Sequence, residues 1–201
     1  MSSGADVFGF DGFVLPDLTL AGVTVDAVIG LDDEEVERRN KLQIGSVDDR
    51  DLLEVLGHLP LGWRVPVDEL GPVMRVLVEG APAGLVERAG NTVVRCYRPA
   101  IRTAGVIVRR RDWRQGIELV SRFAAVAPRG LILTGSVLDT DEAISSARRL
   151  EIGLAIRRTK ADPAKLLVPA GTRFRRPGTA EWLFSERVFA EWRRRQVPQA
   201  S

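Results

Sequence analysis

The chain is nearly without histidine and cysteine, on which hydrolytic triads and zinc sites rely. Its 201 residues include one histidine, His58, and one cysteine, Cys96. A Cys–His nucleophile would need those two singletons to meet from distant segments. A zinc site needs a cluster of Cys and His, and there is none. With a single cysteine no intrachain disulfide can form, which suits a reducing compartment. No GxxxxGK(S/T) or GxGxxG sequence offers a phosphate loop. No apolar run approaches the roughly 18 residues of a membrane span, and Met1 to Asp6 lacks the basic start and apolar stretch of a signal peptide. The expectation is a cytoplasmic protein without membrane contact.

What is present is an ordinary globular composition, 45% apolar and 28% charged, in a length that suits one domain or one domain with an appendage. Lysine is scarce: 26 arginines stand against 3 lysines. The net charge of +2 hides a polarised chain. Residues 1–90 hold 17 acidic and 7 basic side chains, and residues 91–201 hold 10 and 22. Such asymmetry implies either that the halves dock on each other or that the basic half meets a polyanion. It divides the chain into an acidic region, 1–98, and a basic region, 99–201.

Hydrophobic patterning gives an α/β protein. Val7 to Ile29 reads as two or three short strands, the clearest being Val23 to Ile29. An acidic patch at Asp32 to Glu37 opens a helix or a solvated loop. Leu52, Val55, Leu56 and Leu59 recur at helical spacing behind a cap at Asp48 or Asp49, and Pro60 with Gly62 stops that helix. Gly71-Pro72 breaks the helical start at Val67, and the β-branched run Val73 to Val78 reads as a strand. Residues 84–87 and 92–97 read as a hairpin around Ala89-Gly90-Asn91. The basic region alternates: a buried strand at Ala104 to Val108, a helix over 112–127, a strand at Leu131 to Thr134, a helix capped by Asp139 or Thr140, and a strand at Ile152 to Ile156. That β-α-β-α-β order predicts parallel strands within a mixed sheet. A short strand at Leu166 to Val168 and an amphipathic C-terminal helix from Thr179 complete it.

Chemistry-bearing candidates are few. Asp26 lies in a β-branched strand, where an acid is unexpected without a purpose. Together with Glu79 and Glu87 it could hold Mg²⁺, the one cofactor the sequence leaves open. The loop Thr134 to Asp139 stands between a strand and a helix N-terminus, a place suited to anions, but Asp139, Asp141 and Glu142 point to simple capping.

Two stretches together resemble the restriction endonuclease-like superfamily in its Mrr-like and NERD-like branches. Leu18 to Ile29 looks like the strand pair that ends in those families' metal-binding Asp, here Asp26. Thr92 to Arg98, the helix over 113–127, Gly130 to Ser136, Thr140 to Ala143 with Ala147, and Ile152 to Ile156 follow the Mrr-like order of strand, helix, strand, helix, strand. The resemblance covers about half the chain. It implies an acid or amide two residues before a lysine on the strand aligned with Thr92 to Arg98. That strand offers Val94-Arg95-Cys96-Tyr97-Arg98 instead, so a non-catalytic member is the expectation. A second resemblance is to the winged helix, carried by Asp51 to Leu59, Val67 to Leu70, and Ala83 to Arg88 with the hairpin to Tyr97. It implies a recognition helix between the last two pieces, where Pro72, Gly80 and Pro82 read as breaks.

The functional expectation is a nucleic-acid-associated α/β module, with Arg109, Arg110, Arg111, Arg114, Arg173, Arg175 and Arg176 contacting the phosphates of DNA or RNA. The alternative is a protein-interaction or assembly subunit, joined to a partner or a second copy through the aromatic stripe Trp182, Phe189 and Trp192.

Overall fold

A computed structural model describes residues 4–135, 139–159, 161–171 and 178–196. The chain forms two compact units, and each is assembled from two stretches: residues 1–30 with 102–175, and residues 31–101 with 176–201. The units interleave along the sequence instead of meeting at the charge boundary near residue 98. Regrouping the charges accordingly gives +4 for the first unit and −2 for the second. Most of the linear polarity therefore cancels within each fold.

The first unit is built on a six-stranded mixed sheet. Its strands are β1 (Phe13–Leu20), β2 (Val23–Leu31), β6 (Ile101–Arg110), β7 (Arg129–Thr134), β8 (Gly153–Arg157) and β9 (Lys165–Val168), adjacent in that order. β1 and β2 form a hairpin whose turn residues Ala21 and Gly22 both have positive φ, 49° and 72°. Two successive positive φ values match the right-handed twist of the strands they join. Pro16 is tolerated because β1 is an edge strand. β6, β7 and β8 run parallel, linked by helices α5 (Trp113–Ser121) and α6 (Thr140–Arg149), and β9 returns antiparallel. This is the expected β-α-β-α-β arrangement. Its strands are continuously apolar because both faces are covered. On one face Ile107, Ile132 and Ala155 pack with Ala5 and Phe8 of the short helix α1 (Gly4–Phe8). On the other, Gly116 lets α5 approach Leu131 so closely that an added Cβ would stand 2.6 Å from its Cδ1.

The second unit pairs helices with a three-stranded antiparallel sheet. In chain order it contains α2 (Asp33–Lys41), α3 (Arg50–His58), β3 (Arg64–Pro66), a 3-10 turn (Val67–Glu69), α4 (Pro72–Glu79), β4 (Val86–Ala89), β5 (Thr92–Arg95) and the C-terminal α7 (Thr179–Gln196). The acidic patch is a helix: Asp32 caps α2 by accepting from Glu35 N–H, and Asp49 caps α3 through Leu52 N–H. The strand order is β3-β5-β4, and β4 and β5 form the expected hairpin.

Residues 73–78 are helical, which corrects the expectation of a strand. Pro72 does not break this helix. It occupies the first turn, where its missing N–H costs nothing, and Gly71 and Gly80 flank the two ends. Met74, Leu77 and Val78 turn toward the core formed by Leu53, Leu56 and Leu85, and that burial overrides the β-branched composition.

Candidate functional site

Asp26 lies in the middle of β2 and is 2% exposed. It is held from two directions. Arg109, near the end of β6, forms an ion pair with its carboxylate, and the Asp17 N–H donates to Oδ1 at 3.2 Å. Asp17 sits at the irregularity in β1 with φ 52°, which bends the edge strand so that its N–H reaches the carboxylate. Burial pushes the Asp26 carboxyl above its ordinary range, and the Arg109 charge and the Asp17 N–H offset this only in part. A guanidinium occupies the ground on which a divalent ion would have to sit. Glu79 ends α4 and Glu87 lies in β4, both in the other unit. Among the described residues, no three His, Cys, Asp or Glu gather around a common point. Asp26 as arranged does not fit Mg²⁺.

The raised carboxyl yields a signed prediction. An acid whose folded pKa lies above its unfolded value stabilises the fold at acid pH and loses that contribution as pH rises through the folded pKa. Asp26→Asn should therefore leave stability near neutral pH unchanged or raised, within about 1 kcal/mol, and should flatten its dependence on pH. Urea melts at about pH 4 and pH 7 check this. A loss of several kcal/mol at neutral pH would mean that the charged pair is net stabilising.

The arginines after Asp26's partner belong to a wider feature. β6 ends in Arg109-Arg110 with Arg111 directly after it, and β8 ends in Arg157 with Arg158 directly after it. The sheet register aligns Arg110, Leu133, Ile156 and Lys165 in one row across four strands, and Thr134 and Arg157 in the next. Five basic side chains thus collect at the carboxyl edge of the parallel strands: Arg110, Arg111, Arg157, Arg158 and Lys165. None of the five makes an ion pair with a described residue; Arg110 donates only to the Arg109 carbonyl, at 2.7 Å. The buried Nε of Arg157 has no hydrogen-bond partner among the described residues. Beside this edge lies a cleft of about 610 Å³ lined by Gly135, Thr140, Ile156, Arg158, Asp162, Pro163, Lys165 and Leu167. Arg157, Arg158 and Lys165 escaped the sequence reading, although β6 and β8 share one signal, an apolar strand that ends in consecutive arginines.

Other candidates fall elsewhere. Arg114 stacks over Trp113 and pairs with Glu142 at 2.7 Å and Asp139 at 3.7 Å, so its charge is already matched. Asp139 has φ 55° and does not cap α6 through its side chain. Arg173, Arg175 and Arg176, and residues 136–138 of the candidate anion loop, lie outside the described residues. Thr92 to Arg95, aligned above with the motif strand of the nuclease-like families, belongs to the three-stranded sheet of the second unit. In the six-stranded sheet the strands beside Asp26's are β1 and β6.

The aromatic stripe of α7 faces its own unit. Phe189 is fully buried, Trp182 meets Tyr97 edge-on at 5.4 Å, and Trp192 stacks on Phe189 at 5.7 Å. Beside them Arg39, with no exposed side-chain surface, joins Glu35 and Glu186. The exposed apolar side chains of this unit are instead Leu42, Leu61, Trp63, Val73 and Val76. The His58 Nδ1–H donates to the Glu54 carbonyl, 2.8 Å away. Cys96 donates to the Val94 carbonyl, and burial together with nearby Glu87 pushes its thiol pKa up, the reverse of what a nucleophile needs.

No family model, curated protein or solved structure matches the chain. What fold and geometry define is an α/β protein of two interleaved units, with a basic sheet edge on one and an exposed apolar helix face on the other. No helix among the described residues is long and apolar enough to cross a membrane.

Proposed function

We propose that the chain is a nucleic-acid-associated module, a non-catalytic relative of the restriction endonuclease-like proteins, that grips a phosphate backbone with the carboxyl edge of β6, β8 and β9. The observation that carries this reading is the set Arg110, Arg111, Arg157, Arg158 and Lys165, five cations on one edge without ion-pair partners among the described residues. Three inter-strand spacings separate Arg110 from Lys165, about 14 Å, so one edge spans several phosphates of a single strand or duplex. The sequential strand order and the position of Asp26 beside β6 support the nuclease-like ancestry. The absence of catalysis rests on Asp26 itself: Arg109 neutralises its carboxylate, and it belongs to no cluster of three acidic, His or Cys side chains among the described residues.

Fluorescence anisotropy with labelled duplex and single-stranded DNA tests this between about 50 and 200 mM salt. If four or five phosphates are neutralised, duplex affinity should fall by two to three orders of magnitude over that range. Arg111→Gln and Arg158→Gln should each weaken binding and lower the logarithmic salt slope by about one. No binding at the lowest salt, or binding indifferent to both substitutions, overturns the reading.

A further inference from the structure

The second unit carries a groove that the nucleic-acid reading leaves unused. It has a volume of about 750 Å³ and runs between the loop 42–49, the start of α3, and the outer side of α4 with the segment 80–85. Its walls are Leu42, Ile44, Val47, Leu52, Val76, Leu77 and Leu85. Leu42 is 53% and Val76 67% exposed, and Val73, one turn before Val76, is 72% exposed. Residues three apart share a helix face, so the apolar surface continues from the groove along α4. An aliphatic surface of this kind marks an interaction site.

The charges say what kind of partner fits. Among the described residues the charged side chains lining the groove are Asp48 and Asp49; Arg38 and Arg193 reach its backbone but are engaged there, at the Gly84 and Ile44 carbonyls. Asp48 does meet Arg187 of α7 at 3.2 Å, but both side chains are mostly exposed, 71% and 58%. Such a pair contributes little and is readily exchanged for another cation. Exposed Asp51 and Glu79, at the start of α3 and the end of α4, add to the acidic side. A winged helix that read DNA with α4 would present arginines on this face. Here its solvent-facing side carries Val73, Val76 and Glu79, and Arg75 turns back to the Val67 carbonyl.

We infer that this groove docks an amphipathic segment of a partner protein, with aliphatic anchors between Leu42 and Val76 and flanking lysines or arginines facing Asp48 and Asp49. The inference concerns the other unit and stands whether or not the basic sheet edge binds nucleic acid. Helix-in-groove recognition uses anchors at i, i+3, i+4 and i+7 and takes specificity from the charged rim.

The test uses the full chain and labelled helical peptides of about 18 residues, five turns. One carries leucines at helical spacing with lysines elsewhere; its counterpart replaces every lysine by glutamate. The Leu/Lys peptide should bind at micromolar concentration, and the Leu/Glu peptide at least about tenfold more weakly. Val76→Glu should reduce Leu/Lys binding by about tenfold or more, and Asp48→Lys should do so more strongly at low salt than at high salt. Both positions are exposed, and an unchanged circular-dichroism melt confirms that the variants fold. No binding of the Leu/Lys peptide, or binding that ignores Val76→Glu, overturns the proposal. So does light scattering showing a dimer that Val76→Glu dissociates, because the groove would then be filled by a second copy.

Discussion

Arg39→Met should destabilise the protein by about 3–5 kcal/mol, because it strands two buried carboxylates at once. Arg39 has no exposed side-chain surface and spends its whole fork on acceptors. Nε donates to Glu35, Nη1 and Nη2 to Glu186, and Nη2 also to the Arg98 carbonyl at 2.8 Å. Glu186 in turn accepts from the Tyr97 hydroxyl at 3.0 Å and the Val47 N–H at 2.9 Å. Met keeps much of the volume between the Tyr97 and Phe189 rings, so the expected loss reports charge and hydrogen bonding more than a cavity. Urea denaturation followed by tryptophan fluorescence is suited to this, because Trp182 packs against Tyr97 beside the cluster. Adding Glu186→Met should cost less than the sum of the single changes by about 1–3 kcal/mol, since each leaves the other's charge unpaired. A single-mutant loss under about 1 kcal/mol would mean that water reaches the cluster.

The same cluster sets a pH dependence of opposite sign to that of Asp26. Burial pushes the Glu35 carboxyl up, but hydrogen bonds from Arg38 and Arg39 and their charges outweigh it and hold it below the ordinary range. A depressed folded pKa stabilises the fold above the unfolded pKa, and that contribution is lost as pH falls through the folded value. Removing Arg39 takes away one of the two restraints. The destabilisation caused by Arg39→Met should therefore be largest near neutral pH and shrink as Glu35 protonates, which urea melts of variant and parent at about pH 4 and pH 7 compare.

Why Arg39 was invisible in the sequence is instructive. It stands in the run Glu35 to Lys41, which reads as a solvated helix face, and its partner Glu186 lies 147 residues away among charged residues of α7. Periodicity reports which face of one helix is apolar. It carries no information about a charge that is buried only because a distant element brings a counter-charge. The parallel strands were legible for the opposite reason. Val106 to Val108, Leu131 to Leu133 and Leu154 to Ala155 are apolar on both faces, and that pattern needs no knowledge of the partner strand. α4 lies between these cases. Its proline and glycines mark helix ends as readily as breaks, and only the burial of Val78 against Leu53 and Leu85 decides for the helix. The basic edge was half visible: the run after β6 stood out, but its alignment with β8 and β9 needed the register.

The aromatic stripe shows the limit from another side. Trp182, Phe189 and Trp192 at helical spacing fit a core face and a docking face equally well, and the structure turns Phe189 inward. The side chains left outside, Val73 and Val76, are aliphatic and sit in a stretch whose helical state the composition concealed. An exposed face cannot be assigned before its secondary structure is known, because a strand would have divided these residues between two faces.

Phe8→Ala should be the costliest change in the six-stranded unit, at about 3–5 kcal/mol. Glycine weakens a strand interior and is retained where something must come close. Gly130 of β7 and Gly153 of β8 are register partners, and a Cβ added to them would stand 2.6 Å and 2.7 Å from the Phe8 ring. Gly105 of β6 stands in the same relation to Phe10, at 2.3 Å. The three glycines form a shallow floor that receives two phenylalanines whose ring centroids are 5.6 Å apart. Gly130→Val should itself cost about 1–3 kcal/mol by overpacking. Joined to Phe8→Ala, the valine partly refills the space the ring leaves, so the double variant should be more stable than the sum predicts by about 1 kcal/mol or more. Urea melts of the four proteins in this cycle measure the coupling. Zero coupling would mean that the ring and the glycine do not touch. A Phe8→Ala cost below about 1 kcal/mol would mean that the N-terminal segment detaches without unfolding the sheet, since docking can contribute no more than undocking removes.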